Sequence, residues 1–180
     1  MLIVNQHRIG SSAGKEKAVQ ISNTEYFLLL DAHMRFYQND WVKILIDELN
    51  KDQNQILCCQ NIVLTKNKDE EVSNDGEIGV YGAYLMFDEN DYIPQIKWNS
   101  NYICNLLGDN NIPAVLGASY CTSKTYWNKI KGLQGLMQYG AEESYLSIKA
   151  WMEGGGCKFI DQVKIGHIYR KEAPYRMCNP

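Results

Sequence analysis

The sequence lacks four features that would each have pointed to a class of function. No run approaches the ~18–20 consecutive apolar residues of a membrane-spanning helix. The opening Met-Leu-Ile-Val-Asn-Gln has no charged segment ahead of an apolar one, so it does not read as a secretory signal. No basic stripe stands out among 18 Lys and Arg set against 21 Asp and Glu, so a nucleic-acid partner is not expected. None of the six cysteines (Cys58, Cys59, Cys104, Cys121, Cys157, Cys178) forms a Cys-x-x-Cys pair, so a zinc knuckle is not expected either. Scattered thiols fit a reducing compartment. The expectation is a cytoplasmic protein, free or peripheral to a membrane, with no transmembrane segment and a small charged ligand left open.

What is present describes one domain. The chain has 180 residues, 45% hydrophobic and 22% charged, enough apolar material for a sizeable core. Leu2 to Asn5 reads as a short strand, and Ile9 to Ser22 as a loop followed by a helix. Tyr26 to Leu30 is a continuous apolar run, the pattern of a strand buried on both faces. Asp40 stands where it would cap a helix carrying Trp41, Ile44, Leu45 and Leu49. Ile56 to Leu64 reads as a second buried strand. Lys66 to Glu77 is a loop or hairpin with Asn74-Asp75-Gly76 as its turn. Ile78 to Phe87 reads as one strand. Residues 88–112 give no clear pattern. Ala114 to Thr122 is small and apolar, with Gly117 and Ala118 where a ligand would approach the backbone. Ser123 or Thr125 opens a short helix. Ala141 to Met152 is a helix ended by Gly154-Gly155-Gly156. Phe159-Ile160 and Val163 to Ile168 are short final strands. Strands alternating with helices predict an α/β domain with a mixed central sheet flanked by helices.

Four segments carry candidate chemistry. Asp31 and His33 follow a strand end, where ligands bind in open α/β sheets. Two residues apart in an extended chain, they would point the same way and suit a divalent metal such as Mn²⁺, or Mg²⁺. A turn-capping Asp beside a surface His would give the same spacing. His167 follows Gly166 and is one of only three histidines; a satisfied structural histidine is the plain alternative. Glu142 and Glu143 open a helix, where the macrodipole alone favours acids, and the pair also suits a base or a sugar-hydroxyl acceptor. Gly10-Ser11-Ser12-Ala13-Gly14-Lys15 imitates a phosphate-binding loop. It has three residues between its glycines instead of four, and Glu16 follows the lysine where a hydroxyl is needed, so that function is rejected.

Taken in order, these segments resemble the GT-A glycosyltransferases, and most closely the polypeptide N-acetylgalactosaminyltransferases and bacterial family 2 relatives. Asp31-Ala32-His33 matches the family's Asp-x-His. The stretch from Val4 through Arg8 and Gly10 to Ala18 resembles the part before it. Pro113 to Ala118 resembles the sugar-binding strand. Tyr139-Gly140-Ala141-Glu142-Glu143 resembles Trp-Gly-Gly-Glu-Asn. Gly166-His167-Ile168-Tyr169-Arg170-Lys171 with Pro174-Tyr175 is similar to the closing Gly-His-Val-Phe-Arg-Lys and Pro-Tyr.

The resemblance implies an enzyme that moves a sugar from a nucleotide-diphosphate donor, UDP-linked, to a hydroxyl acceptor on a glycan, protein or lipid. It implies that Asp31, His33 and His167 hold the metal and that Glu142 binds donor-sugar hydroxyls. Donor contacts would come from Arg8, Gly10, Lys15, Ala32, Gly117, Ala118 and Tyr139, with Arg170 and Tyr175 on a closing loop. Tyr139, Ala141 and Glu143 depart from the family's Trp, Gly and Asn. Inverting family 2 enzymes carry Glu-Asp there with the Asp as base, so Glu143 is a candidate base. Ala173 stands where relatives have His, and Ala13 where they have a nucleotide-side Arg. The resemblance further implies that residues 1–180 form one partial catalytic domain, lacking the first strand-helix-strand that builds the uridine pocket. The alternative is a non-catalytic remnant or binding module of the same fold.

Overall fold

The computed structural model describes residues 3–66, 71–73, 79–87, 94–100, 108–136 and 140–168. Helix α1 spans Ser11–Ile21, strand β1 Tyr26–Leu30, β2 Met34–Phe36 and α2 Trp41–Lys51. β3 spans Gln55–Lys66, β4 Glu71–Ser73, β5 Gly79–Val80, β6 Ala83–Phe87 and β7 Pro94–Trp98. β8 spans Ser119–Ser123, α3 Lys124–Lys129, α4 Glu142–Met152 and β9 Gly156–Ile168.

The main sheet has the order β1-β8-β3-β9-β2, with β4 and β5 also pairing with β3. β3 and β9 are parallel, while β1–β8, β3–β8 and β2–β9 are antiparallel. It follows that β1, β3 and β9 run in the same sense, so the sheet is mixed as expected. Ile56 and Cys58 join one core with Val19, Tyr120, Trp127, Leu146 and Phe159, under α1, α3 and α4. Leu57 and Cys59 join a second core with Leu45, Leu49, Cys121, Val163 and Ile165, under α2. Alternate residues of β3 therefore serve opposite layers, and its near-continuous apolar run is that of a strand covered on both faces.

Several expectations are corrected. Ile3 to Asn5 form no strand, and Val4 is 80% exposed; apolar residues make a strand only where an edge accepts them. Leu2 lies outside the described residues. β1 is half-buried throughout, because it is the edge of the sheet and not an interior strand. Asp40 stands at the N-cap of α2 without a side-chain hydrogen bond. The stretch Ile78 to Phe87 breaks into β5 and β6 at Tyr81-Gly82: Gly82 has φ +81, and a Cβ there would meet Ile112 at 2.5 Å. β6 leaves the main sheet and pairs with β7. The two final strands form one, β9, whose register against β3 slips between Ile160 and Lys164. β4 pairs back on β3 as a hairpin, and the Asn74-Asp75-Gly76 turn lies outside the described residues. Ser123, not Thr125, caps α3, its hydroxyl accepting from the Tyr126 amide. The described cysteines Cys58, Cys59, Cys121 and Cys157 are free and buried.

Trp127 is the largest fully buried side chain. Phe27 meets it edge-on at 5.2 Å between ring centroids, and its indole N–H donates to Glu16 Oε2 at 3.0 Å. Trp127→Ala should lower the unfolding free energy by about 3–5 kcal/mol in a urea titration. A loss below about 1 kcal/mol would show that this core collapses freely around the gap.

Burial pushes the Cys157 thiol up from 9.0 to about 12. The folded chain thus keeps a proton that the unfolded chain releases, so stability falls as pH rises from about 9 towards 12. Burial acts on Tyr126 in the same sense. Melting temperature should hold up to about pH 9 and then fall, and Cys157→Ala should fall less steeply. Equal slopes for the two proteins would refute the assignment to Cys157.

Candidate functional site

β1 and β9 run in the same sense, and both deliver a functional residue at the carboxyl end. Leu30 pairs with Ser119, and the next amide, that of Asp31, donates to the Ala118 carbonyl at 3.0 Å. The chain then turns through Ala32 and His33 and enters β2, whose first residue, Met34, pairs with His167. The Asp31–His33 segment is a turn and not the extended chain that the spacing assumes. The side chains nevertheless converge, because the turn lands beside β9.

His167 Nε2 lies 3.3 Å from Asp31 Oδ2, and the rings of His33 and His167 are 4.7 Å apart between centroids. One ligand atom from each of Asp31, His33 and His167 falls within a 4.8 Å cluster. Among the described residues this is the one such group of His, Cys, Asp or Glu. Burial works against the Asp31 carboxylate. The hydrogen bond with His167 and the charges of Lys15, His167 and His33 outweigh it and hold the group below its ordinary value. A carboxylate kept ionised beside two imidazoles is a donor set that suits a borderline divalent cation.

The acidic neighbours sit behind the Gly117-Ala118 turn. Glu142 is buried, the first residue of α4. Its Oε2 meets Lys15 Nζ at 2.6 Å, and its Oε1 accepts from Ser11 Oγ at 2.9 Å and Ser12 Oγ at 3.1 Å. Lys15 Nζ also donates to the Gly117 carbonyl at 3.3 Å. Gly10, with φ 84, is the N-cap of α1 and places these three residues on the helix's first turns. Burial pushes the Glu143 carboxyl above its ordinary value, and the Glu142 charge adds to this. Hydrogen bonds from its own amide and the Gly117 backbone, and the Lys15 charge, work the other way. The Tyr120 hydroxyl is fully buried without a hydrogen-bond partner. Lys15 Nζ lies 5.6 Å from the centre of its ring.

The residues singled out in the sequence thus fall into two adjoining groups. Asp31, His33 and His167 form one, with Ala32 exposed in the turn between them. Lys15, Gly117, Ala118, Glu142 and Glu143 form the other. Arg8 is exposed before α1. Tyr139, Arg170 and Tyr175 lie outside the described residues. Ser11, Ser12 and Tyr120 went unnoticed as site residues; the serines lie in the rejected phosphate-loop imitation, and Tyr120 is disguised by an apolar strand.

A Cβ on Gly117 would stand 2.5 Å from Glu143 Oε1. Gly117→Ala should therefore cost about 1–3 kcal/mol of stability, as overpacking does. Combining it with Glu143→Ala should recover at least about 0.5 kcal/mol relative to the sum of the two single changes. Strict additivity in chemical denaturation would refute the contact.

Comparison with known proteins places these features in a family. The chain is 22% identical over 178 residues to polypeptide N-acetylgalactosaminyltransferase 5 of Caenorhabditis elegans, covering 95% of this chain and 27% of that protein. It is 24% identical over 176 residues to polypeptide N-acetylgalactosaminyltransferase 12 of Mus musculus, covering 96% of this chain and 28% of that protein. The crystal structure of GalNAc-T7 with UDP, GalNAc and Mn²⁺ superposes with a TM-score of 0.71 at 22% identity. It covers 92% of this chain and 32% of that one, so the GT-A fold is shared. The chain spans less than a third of the length of each of these relatives. Residues 2–107 match the model of glycosyl transferase family 2, and the chain belongs to that family.

Proposed function

We propose that this chain carries the metal and sugar portion of a glycosyltransferase that moves a sugar from a UDP-linked donor to a hydroxyl acceptor. The Asp31–His33–His167 cluster at the carboxyl ends of β1 and β9 carries the reading. Its one carboxylate oxygen and two imidazole nitrogens suit Mn²⁺, with Mg²⁺ as the alternative. Bound there, the cation would offset the charge that builds on the diphosphate as the sugar departs.

The chain's own groups divide the remaining work. Asp31 is held ionised by its hydrogen bond to His167 and the nearby charges. Gly117 packs its backbone against Glu143, where a Cβ would stand 2.5 Å from Oε1, so the Gly117-Ala118 turn and Glu143 form one wall of the proposed donor pocket. Glu142 and Glu143 supply the acidic wall of the donor pocket. Glu143 is the candidate base for the acceptor hydroxyl, and burial pushes its carboxyl above its ordinary value. Arg8, Gly10, Lys15, Ala32, Tyr139, Arg170 and Tyr175 are assigned to the donor on the family resemblance. GalNAc-T7 was crystallised with UDP, GalNAc and Mn²⁺, which makes UDP-N-acetylgalactosamine the first donor to try. The relatives' names point to polypeptide acceptors. No helix among the described residues is long and apolar enough to cross a membrane.

A thermal-shift titration with Mn²⁺ and UDP tests the reading. Wild type should be stabilised by about 2.7 kcal/mol at a hundredfold excess over Kd, and only when Mn²⁺ is present. His33→Ala should lose the metal-dependent part. No shift in wild type would sink the proposal. Binding of Mn²⁺ and UDP without turnover of any donor would favour the second reading, a binding module of this fold.

A further inference from the structure

Three strands change their relation to β3 at one place. On one edge β8 pairs with Leu57 and Cys58, and β5 takes over at Asn61 and Ile62. Among the described residues neither strand pairs with Cys59 or Gln60. On the other edge the register with β9 slips between those same two residues. A lapse in pairing leaves backbone groups to be satisfied by other means. Here the means is a side chain. Asn61 is fully buried, and its Nδ2 donates to the Cys59 carbonyl at 3.1 Å and to Ser119 Oγ at 3.0 Å. Ser119, also fully buried, donates back to Asn61 Oδ1 at 3.4 Å. A carbonyl only accepts, so the amide nitrogen is the end that faces Cys59.

We propose that Asn61 is a positioning residue for the metal cluster and sets the separation of Asp31 from His167. The inference rests on the metal reading above.

Asn61 reaches each of these two ligands through a different strand. Ser119 pairs with Leu30, the residue before Asp31. Ala118, the residue before Ser119, holds the Asp31 amide through its carbonyl. On the far side Asn61 pairs with Ile165, two residues short of His167. β1 and β9 are not neighbours, because β8 and β3 lie between them. The 3.3 Å approach of Asp31 Oδ2 to His167 Nε2 therefore depends on how β8 and β9 are seated on β3. The Asn61 carboxamide fixes the seat where both pairings change: it ties β8 through Ser119 and braces β3 through Cys59. His33 shares the turn that holds Asp31, so the spacing of that pair does not pass through Asn61.

Mn²⁺ binding to the full chain without donor tests this, read from the loss of the free-ion electron paramagnetic resonance signal. Asn61→Leu keeps the volume and removes both ties. It should weaken Mn²⁺ binding about tenfold, the low end for groups that orient metal ligands. Ser119→Ala cuts only the tie to β8 and should weaken binding by less. In a His167→Ala background, Asn61→Leu should cost no more than about twofold further, because the remaining pair shares one turn. Both variants should also melt at a lower temperature. A lower melting temperature with Mn²⁺ affinity within about twofold of wild type would make Asn61 merely structural and overturn the inference. An equal loss with and without His167 would overturn it too. If Asn61→Leu does not fold, Ser119→Ala with and without His167→Ala makes the same comparison. A wild type that binds no Mn²⁺ brings down the metal reading and this inference together, whereas unchanged affinity in the variants brings down this inference alone.

Discussion

The parallel pairing of β3 with β9 is the constraint on which the rest depends. Gln55 to Leu64 runs beside Gly156 to Ile168 through the middle of the sheet. Parallel strands need both faces covered, and here α2 covers one face while α1, α3 and α4 cover the other. The register slip matters as much as the pairing. Cys59 pairs with Ile160 and the next residue, Gln60, pairs with Lys164, so Asp161 to Val163 drop out of the pairing and the rest of β9 is drawn back along β3. His167 then pairs with Val63 on one side and with Met34 on the other, near His33 and Asp31. In the register held before the slip, His167 would lie beside Lys66, past the turn it meets.

The second layer of order is electrostatic. α1 and α4 start at the same place, each with a positive end in need of an anion. Glu16, from α1, accepts from the Trp127 indole and from the Leu133 amide, and Glu142, from α4, accepts from α1. Acids exchanged in both directions hold the helical layer together over the Trp127 core. Lys124 adds to this by donating to the Ser22 and Gln20 carbonyls at the far end of α1.

Much of this was legible in the sequence, and the failures share a cause. Apolar runs located β1 and β3, because burial leaves a compositional trace, while β9 showed only as two short pieces interrupted by Asp161-Gln162. Whether a strand lies inside a sheet or at its edge leaves a weaker one: Tyr26 to Leu30 has the composition of an interior strand and sits at the edge. The break at Gly82 was hidden because it is imposed by Ile112, thirty residues away. The Asp-x-His spacing reads as an extended chain, and Asp31 and His33 converge through a turn instead. The turn, and not an extended strand, is what brings their ligand atoms near that of His167. Ser11, Ser12 and Tyr120 could not be placed at all, since their importance comes from neighbours that only the fold supplies.

The charge balance of the site argues for a cation on its own terms. Asp31, Glu142 and Glu143 gather around Lys15, the ammonium whose charge reaches all three. Two unit charges 4 Å apart interact by about 4 kcal/mol at an effective dielectric constant near 20. Lys15 is already committed to Glu142 and the Gly117 carbonyl, so it leaves Asp31 only a long-range benefit. A diphosphate donor would bring further negative charge into the same region. Under the proposed function Lys15 therefore has little charge to spare for the substrate. A divalent ion on Asp31, His33 and His167 would supply that charge where the two imidazoles can share it. Under the proposed function a metal there would be a condition of donor binding as well as an aid to departure of the diphosphate.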